Sequence, residues 1–270
     1  MPDYTTYPLG IDVSLWQGDI DWQRVATRAK FASIKAGQNL FSDPKFATNW
    51  LNSKDKLPRN GYWFYDWRSS GASAESQAET MAAAVQPAGE LPPMMDFENP
   101  YAGWSSTPFP NRSAALDLIK RFRDNLETIR MILYMNSSTL RTLLPFPSWL
   151  TDEVYLHIAA YPLVNVGGSW VQPRTPADIP QNWIPSTYGW PPKFWQFTSK
   201  MDGALFGVGS KDLDGDLFMG TAQELAEYCN TSEISDAEKL RRLWEAHPEL
   251  HGDRLIDLGN GYGLVVEDGD

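Results

Sequence analysis

The stretch NGYWFYDWRSSGASAESQAETMAAAVQPAGELPPMMDFE, residues 60–98, contains the pattern of a strand, a helix and a second strand. The aromatic run at 60–67 predicts the first strand, and the alanine-rich run at 73–85 predicts the helix. The apolar run that ends at residue 98 predicts the next strand. A helix between two strands is typical of a parallel sheet with crossover helices, so this segment predicts an α/β fold.

The same alternation continues on both sides of this stretch. Further strands are predicted at 10–16, 31–37, 130–136, 153–162 and 193–199, and further helices at 19–29, 43–55 and 112–126. Beyond residue 137 the predicted helices become rare and loops rich in proline and tryptophan replace them. We therefore expect a single-domain, irregular (β/α) barrel whose second half is poor in helices, rather than an open doubly wound sheet.

Two acidic residues end the strand that closes the opening stretch. Asp96 and Glu98 are separated by one residue, so both side chains point to the same face of a strand, with Cα atoms roughly 6.5 Å apart. Chemistry in an α/β barrel takes place at the C-terminal ends of the strands. We expect a pocket there, built from the other polar residues that end predicted strands: Asp12, Ser14, Lys35, Tyr65, Asp66, Asn136, Tyr161 and Gln196.

Composition excludes several classes of function. The net charge of −11 over 270 residues leaves no basic stripe for phosphates, so we expect no nucleic-acid partner. No apolar run approaches the roughly 20 residues that span a membrane. A single cysteine excludes an intramolecular disulfide. The 12 tryptophans predict either flat surfaces for sugar rings or a large aromatic core, and composition does not separate the two.

The first and last segments of the chain bear on its localisation and its domain organisation. The start of the chain lacks the basic and apolar regions of a Sec signal peptide. Residues 221–270 contain 4 Lys or Arg and 12 Asp or Glu, and they predict one helix at 235–248 and one hairpin around Asn260 and Gly261. We therefore expect a catalytic barrel at 1–222 and an acidic appendage at 223–270, which packs on the barrel or binds a protein partner.

Seven motifs occur in a fixed order: GIDVSLWQGDIDWQRV, FASIKAG…FSDPKFATNW, GYWFY, PPMMDFEN, IAAYP, FWQFTS and DLDGDLFMG. By these motifs the chain resembles the glycoside hydrolase family 25 lysozymes over about residues 8–222. The resemblance implies an irregular β/α barrel without a cofactor or metal. It also implies an enzyme that cleaves the β-1,4 bond from N-acetylmuramic acid to N-acetylglucosamine in bacterial peptidoglycan.

The resemblance also assigns residues. It implies that Glu98 is the general acid, that Asp96 is its partner, and that Asp12 and Asp214 are further carboxylates of the site. The positions implied to bind the glycan are Tyr62, Tyr134, Tyr161, Trp195 and Gln196. The chain departs from the family pattern at His157, where the family commonly has tryptophan, and on the final strand, which carries an extra acid, Asp216, and a neighbour, Asp212.

The chemistry can also be argued from the residues alone. Glycoside hydrolysis needs one protonated carboxyl group and one ionised group near the anomeric carbon. Clustering Asp12, Asp96, Glu98 and Asp214 makes full ionisation unfavourable, so at least one pKa must rise. The sequence leaves retention and inversion open. We favour assistance by the N-acetyl amide, oriented by Asp96, and an inverting water is the alternative.

Other interpretations give the same residues different roles. Asp96 and Glu98 can be structural acids that take part in a strand-end salt bridge or cap a helix, and Asp212, Asp214 and Asp216 resemble the start of a calcium loop. The whole barrel can be a non-catalytic glycan-binding module, a structural component of a phage particle, or a chitinase. If it is a muramidase, we expect it to act on the cell wall after release, as a phage-encoded protein or one exported by a non-Sec route.

Overall fold

The computed structural model describes residues 2–99, 108–126, 130–230, 254–257 and 262–265. In these residues the strands are β1 (Leu9–Val13), β2 (Phe31–Gln38), β3 (Phe41–Ser42), β4 (Arg59–Phe64), β5 (Met94–Asp96), β6 (Met131–Asn136), β7 (Val154–Ala159), β8 (Val164–Val166), β9 (Ser169–Val171), β10 (Pro192–Asp202), β11 (Asp212–Phe218), β12 (Arg254–Asp257) and β13 (Tyr262–Val265). The α-helices are α1 (Trp22–Ala26), α2 (Phe46–Ser53), α3 (Ala74–Ala84), α4 (Arg112–Asp124), α5 (Ser137–Arg141), α6 (Ser148–Glu153), α7 (Gly203–Phe206) and α8 (Ala222–Asn230).

Eight strands close into a barrel, in the order β1, β11, β10, β7, β6, β5, β4 and β2, with β2 pairing back to β1. Seven of them are parallel, and β11 runs antiparallel to both β1 and β10. The helices between β6 and β11 are only four to six residues long, whereas α3 and α4 have 11 and 13 residues. The predicted irregular α/β barrel, poor in helices in its second half, is confirmed.

The long helices of the first half follow from their sequences. The side chain of Asn111 accepts a hydrogen bond from the amide of Ala114 and so caps the first turn of α4. Ala115, Ile119 and Phe122 then recur on one face of α4, and all three are buried in the layer between helices and sheet. This apolar stripe holds α4 against the barrel.

The barrel interior is closed by an aromatic layer at the end where the parallel strands begin. Phe31, Phe194 and Phe218 point inward from three strands and pack together. Leu225 and Tyr228 of helix α8 join the same cluster, and the Tyr228 ring lies 5.7 Å from that of Phe194. This layer blocks water from one end, so the polar residues of the interior can open only toward the other end.

The contacts of α8 bear on the predicted division of the chain. A boundary between residues 222 and 223 would cut this helix, although Leu225 and Tyr228 belong to the barrel's own packing. Strands β12 and β13 form the predicted antiparallel hairpin. The predicted helix at 235–248 lies outside the described residues. Among the described helices, none has the length and apolar character that crossing a membrane requires.

Candidate active site

A cavity of about 160 Å³ opens at the end of the barrel where the parallel strands finish. Its walls are Asp12, Tyr62, Met94, Asp96, Glu98, Tyr134, Tyr161, Gln196 and Asp214. The cavity thus contains every residue that the family resemblance assigns except Trp195. Of the other polar residues that end predicted strands, Ser14, Lys35, Tyr65, Asp66 and Asn136 do not line it. The lining residues come from six strands and two strand ends that are distant in sequence, which is how a barrel assembles a site.

Asp96 and Glu98 share one wall of the cavity. Asp96 is the last residue of β5 and is buried, and burial raises the pKa of its carboxyl well above the ordinary value, with a further contribution from the charge of Glu98. Burial also raises the pKa of Glu98, while a hydrogen bond with Asn136 and the charge of Lys35 oppose the rise. At least one of the two groups therefore holds a proton under conditions where an exposed carboxyl group would lose it.

Lys35 supplies a positive charge beside these acids. Burial lowers the pKa of its amine, and the charges of Asp96, Asp43 and Glu98 oppose that effect. Its Nζ donates a hydrogen bond to Oε1 of Gln38 at 3.1 Å. One amine offsets only part of the charge of the carboxyl groups in the cavity, so protons must offset much of the rest.

The opposite wall holds a second pair of acids. Asp12 on β1 and Asp214 on β11 are direct partners in the antiparallel pairing, and both side chains line the cavity. Burial raises the pKa of Asp214 to about 7, and the charge of Asp216 adds to the effect. Burial, Asp214 and Asp216 likewise raise the pKa of Asp12 well above its ordinary value. The pair is therefore built to hold one proton between two carboxyl groups.

Gln196 connects this pair to the tyrosines. Its Oε1 accepts hydrogen bonds from the hydroxyls of Tyr134, at 2.9 Å, and of Tyr161. Its Nε2 donates to Oδ2 of Asp12. Because burial raises the pKa of both tyrosines, they remain neutral donors, and the network fixes the orientation of the amide. The two phenols and Asp12 are thus held in one connected chain of hydrogen bonds.

Tyr62 forms the wall between the two pairs of acids. It lies on β4 beside Met94 of β5. Burial raises the pKa of its phenol well above the ordinary value, and the charges of Asp12 and Asp96 add to the rise. Tyr62 therefore offers the cavity a neutral ring and a neutral hydroxyl.

The structure places Trp195 outside the cavity, although the resemblance implied that it binds the glycan. Successive residues of a strand face opposite sides, so the neighbour of the inward-facing Gln196 faces outward. The Trp195 side chain is fully buried outside the cavity, stacked on Trp183 with ring centroids 5.2 Å apart, and its Nε1 donates to the carbonyl of Ala160 at 2.7 Å. It supports the barrel wall and does not line the pocket.

Sequence reasoning missed Met94, and it named Asn136, His157 and Asp216 without assigning their contacts. Met94 lines the cavity two residues before Asp96, and Asn136 hydrogen-bonds to Glu98. His157 and Asp216 contact each other in the barrel interior. The side-chain alternation along β5, β6, β7 and β11 carries a signal for each of these positions, since every one lies on the same face as a predicted site residue of its strand or of a neighbouring strand.

The calcium-loop interpretation of Asp212, Asp214 and Asp216 does not fit. All three lie in the regular strand β11, and Asp212 is paired with Lys200 at 2.9 Å. Within the described part of the chain, no group of three or more histidine, cysteine, aspartate or glutamate side chains is arranged to hold a metal ion. The acids of β11 therefore belong to the barrel wall and its pocket.

Comparisons with known proteins agree with this geometry. A family model described as glycosyl hydrolases family 25 matches residues 11–204. The chain is 29% identical over 232 residues to the uncharacterized protein YegX of Escherichia coli (strain K12), which covers 81% of this chain and 72% of that protein. It is also 28% identical over 247 residues to Lysozyme M1 of Streptomyces globisporus, which covers 86% of this chain and 74% of that protein.

Solved structures show the same architecture. A family 25 glycosyl hydrolase from Bacillus anthracis is similar with a TM-score of 0.60 and 25% identity, over 82% of this chain and 94% of that one. The bacterial lysozyme from Streptomyces coelicolor is similar with a TM-score of 0.65 and 24% identity, over 85% of this chain and 100% of that one. The second likeness is a likeness of fold alone.

Proposed function

The chain belongs to glycosyl hydrolase family 25 and is a peptidoglycan hydrolase, and on that premise we propose that its pocket cleaves the β-1,4 bond from N-acetylmuramic acid to N-acetylglucosamine by carboxyl general acid catalysis. One observation carries the proposal: Asp96, the last residue of β5, and Glu98, two residues farther along the chain, lie on one wall of a cavity with raised pKa values. A hydrolase that must protonate a glycosidic oxygen needs a carboxyl group in this state.

Glu98 is the general acid of the proposed mechanism. Its raised pKa lets it hold a proton in the free enzyme, and its hydrogen bond with Asn136 fixes the carboxyl group at the end of the strand. As the bond from the anomeric carbon to the leaving oxygen breaks, the proton of Glu98 moves to that oxygen. Glu98 is then ionised and can accept a proton from the water that completes hydrolysis.

Asp96 orients the N-acetyl group of the muramic acid ring. Among the described residues, its buried Oδ1 has no hydrogen-bond partner, so it can accept the amide N–H of that group. Held in this way, the carbonyl oxygen of the acetamide bonds to the anomeric carbon as the leaving oxygen departs. Water then opens this cyclic intermediate and passes a proton to Glu98, which restores the enzyme. Two displacements at one carbon give retention of configuration.

The opposite wall binds the sugar rather than breaking the bond. Asp12 and Asp214, with one proton between them, can both donate to and accept from sugar hydroxyls. The phenols of Tyr134 and Tyr161, held by Gln196, and the ring of Tyr62 form the remaining walls. This arrangement supports binding of a neutral polyol ring across from the reacting carboxyl groups.

The site of action follows from the substrate. Peptidoglycan lies outside the cytoplasmic membrane, so we place the activity at the cell wall after release of the protein. An origin in a phage, and the absence of a nucleic-acid partner, stay predictions from the sequence.

Mass spectrometry of fragments released from purified peptidoglycan tests the proposal. We expect products that end in a reducing N-acetylmuramic acid, since that is the sugar whose anomeric bond is cleaved. Products that end in reducing N-acetylglucosamine, or free stem peptides, would contradict the assigned bond. A matched digestion with Glu98→Gln protein separates enzyme-dependent fragments from spontaneous ones.

A further inference from the structure

His157 and Asp216 form a buried pair inside the barrel. Nε2 of His157 lies 2.9 Å from Oδ1 of Asp216, and the two residues are 1% and 0% exposed. His157 is on β7 and Asp216 is on β11, and β10 separates these strands. His157 and Asp216, which come from strands that are not neighbours in the sheet, are therefore in direct contact.

The pair lies one layer below the acids of the pocket. Asp216 follows Asp214 by two residues on β11, so both side chains point into the barrel. In the pairing of the strands, Asp216 lies opposite Gly10 of β1, which is two residues before Asp12. Asp216 thus sits directly beneath the Asp12–Asp214 pair, on the side of the closed aromatic layer.

The surroundings of His157 favour its role as a hydrogen-bond donor. Its Nε2 lies within hydrogen-bond distance of the carboxyl group of Asp216, which accepts when ionised, and its Nδ1 lies 3.3 Å from Sδ of Met94. The ring packs against the rings of Tyr134 and Phe194, with centroids 5.1 and 5.6 Å away. These contacts fix the plane of the imidazole and aim it at Asp216.

Asp216 has the imidazole as its one partner among the described side chains. Its Oδ2 is buried and has no hydrogen-bond partner among the described side chains. The titratable groups that face it are Asp12 on β1, Asp214 on its own strand and Tyr134 on β6, with Asp96, Glu98 and Lys35 farther around the cavity. A charge in this position acts most strongly on the nearest acids, Asp12 and Asp214.

We propose that His157 and Asp216 are positioning residues: the imidazole holds the Asp216 carboxylate beneath Asp12 and Asp214, where its negative charge keeps a proton on that pair. Asp216 indeed raises the pKa of both Asp12 and Asp214, in each case after the larger effect of burial. The effect on catalysis rests on the proposed function. A proton on the Asp12–Asp214 pair would help to hold the sugar, and it would limit the negative charge that faces Glu98.

The test measures the pKa of Asp214 directly and the enzymatic activity separately. The variant Asp216→Asn keeps the shape and an acceptor for His157 but removes the charge. The double variant His157→Phe/Asp216→Asn removes both ionisable groups and keeps an aromatic ring between Tyr134 and Phe194. Asp212→Asn is the matched control, because it removes one acid of the same strand at an exposed position. Carboxyl carbon NMR follows the titration of Asp214, and kcat/KM is measured against pH on soluble glycan chains.

We expect the pKa of Asp214 to fall by about one unit in both variants, as is typical for the loss of a neighbouring charge. The alkaline limb of kcat/KM should move to lower pH with it, whereas the control should move neither. An unchanged Asp214 titration in either folded variant would overturn the proposal and leave the pair as a structural contact. If Asp216→Asn does not fold, the double variant gives the same reading. A lowered pKa in a chain without muramidase activity would support the positioning role and refute the proposed function.

Discussion

Asp12 and Asp214 face each other across the antiparallel pairing of β1 and β11, and both side chains line the cavity. Burial and the charge of Asp216 raise the pKa of both carboxyl groups, so this pair holds a proton at pH values where exposed carboxyl groups lose theirs. The first and last strands of the barrel therefore meet at an acid pair with raised pKa values. The pH dependence of folding should report this arrangement.

Asp214→Asn should change stability in a pH-dependent way. The folded chain keeps the Asp214 proton up to about pH 7, whereas the unfolded chain releases it near the ordinary value of 3.8. The contribution of this group to stability is therefore complete below pH 3.8 and is lost as pH rises through about 7. Asparagine does not titrate, so thermal melts should show a Tm above that of the natural protein by a few degrees at pH 8 and a much smaller difference at pH 3.5. Asp152→Asn, an exposed change on α6, serves as the control, and equal Tm differences at both pH values would contradict the prediction.

Glu98→Gln should fold normally and lose at least about 100-fold in turnover on cell walls, which is the scale expected when a general acid is removed. Glutamine has the same shape but no proton to give to the leaving oxygen. The comparison variant is Glu79→Gln, which makes the same chemical change at an exposed position on α3. Clearing of cell walls by a folded Glu98→Gln protein at the natural rate would refute the assignment.

Assistance by the N-acetyl group predicts the anomer of the product. Proton NMR of the first products should show the β-anomer of the new reducing end, because two displacements at one carbon restore the configuration. Asp96→Asn should slow the reaction by about 100-fold or more, since the oriented acetamide is lost. First products in the α form would establish the alternative, an inverting water activated by a carboxylate.

Trp195→Phe should lower stability and leave glycan binding unchanged, whereas Tyr161→Phe should lower activity and leave stability nearly unchanged. Trp195 supports the barrel wall, so its variant should lose about 1–3 kcal/mol of unfolding free energy and keep its KM for glycan. Tyr161 lines the pocket and donates to Gln196, so its variant should lose about 10-fold in kcat/KM with little change in Tm. Denaturant unfolding and steady-state kinetics measure both quantities. A raised KM for Trp195→Phe with normal stability would return that residue to the sugar site.

Truncation should locate the end of the barrel. A chain that ends at residue 230 keeps Leu225 and Tyr228 in the aromatic layer and should retain a folded barrel that is active on soluble glycan chains. A chain that ends at residue 222 loses both side chains, each worth about 2–5 kcal/mol when buried, and should be strongly destabilised. Circular dichroism melts and activity on the two fragments give the comparison. Equal stability of the two would place α8 with the appendage.

The order of strands and helices could be predicted from the sequence because each element has its own hydrophobic periodicity. The same alternation predicted that Asp96 and Glu98 point to one side at the end of β5, and a strand end in an α/β barrel is where such acids do chemistry. Polar residues at the ends of β1, β7 and β10 pointed to the same rim for the same reason. Local physics therefore determined the fold class, the wall that carries the reacting acids and most of the pocket.

Only the tertiary structure decided which face of the later strands is inside. The strands of this barrel are buried on both faces, so residues such as Trp195 and Gln196 give no local sign of which one meets the cavity. Closure through the antiparallel β11 then set Asp12 against Asp214 and brought His157 into contact with Asp216 across β10. Such contacts depend on strand order and register across the closed sheet, which arise from the packing of the whole chain and not from any one segment.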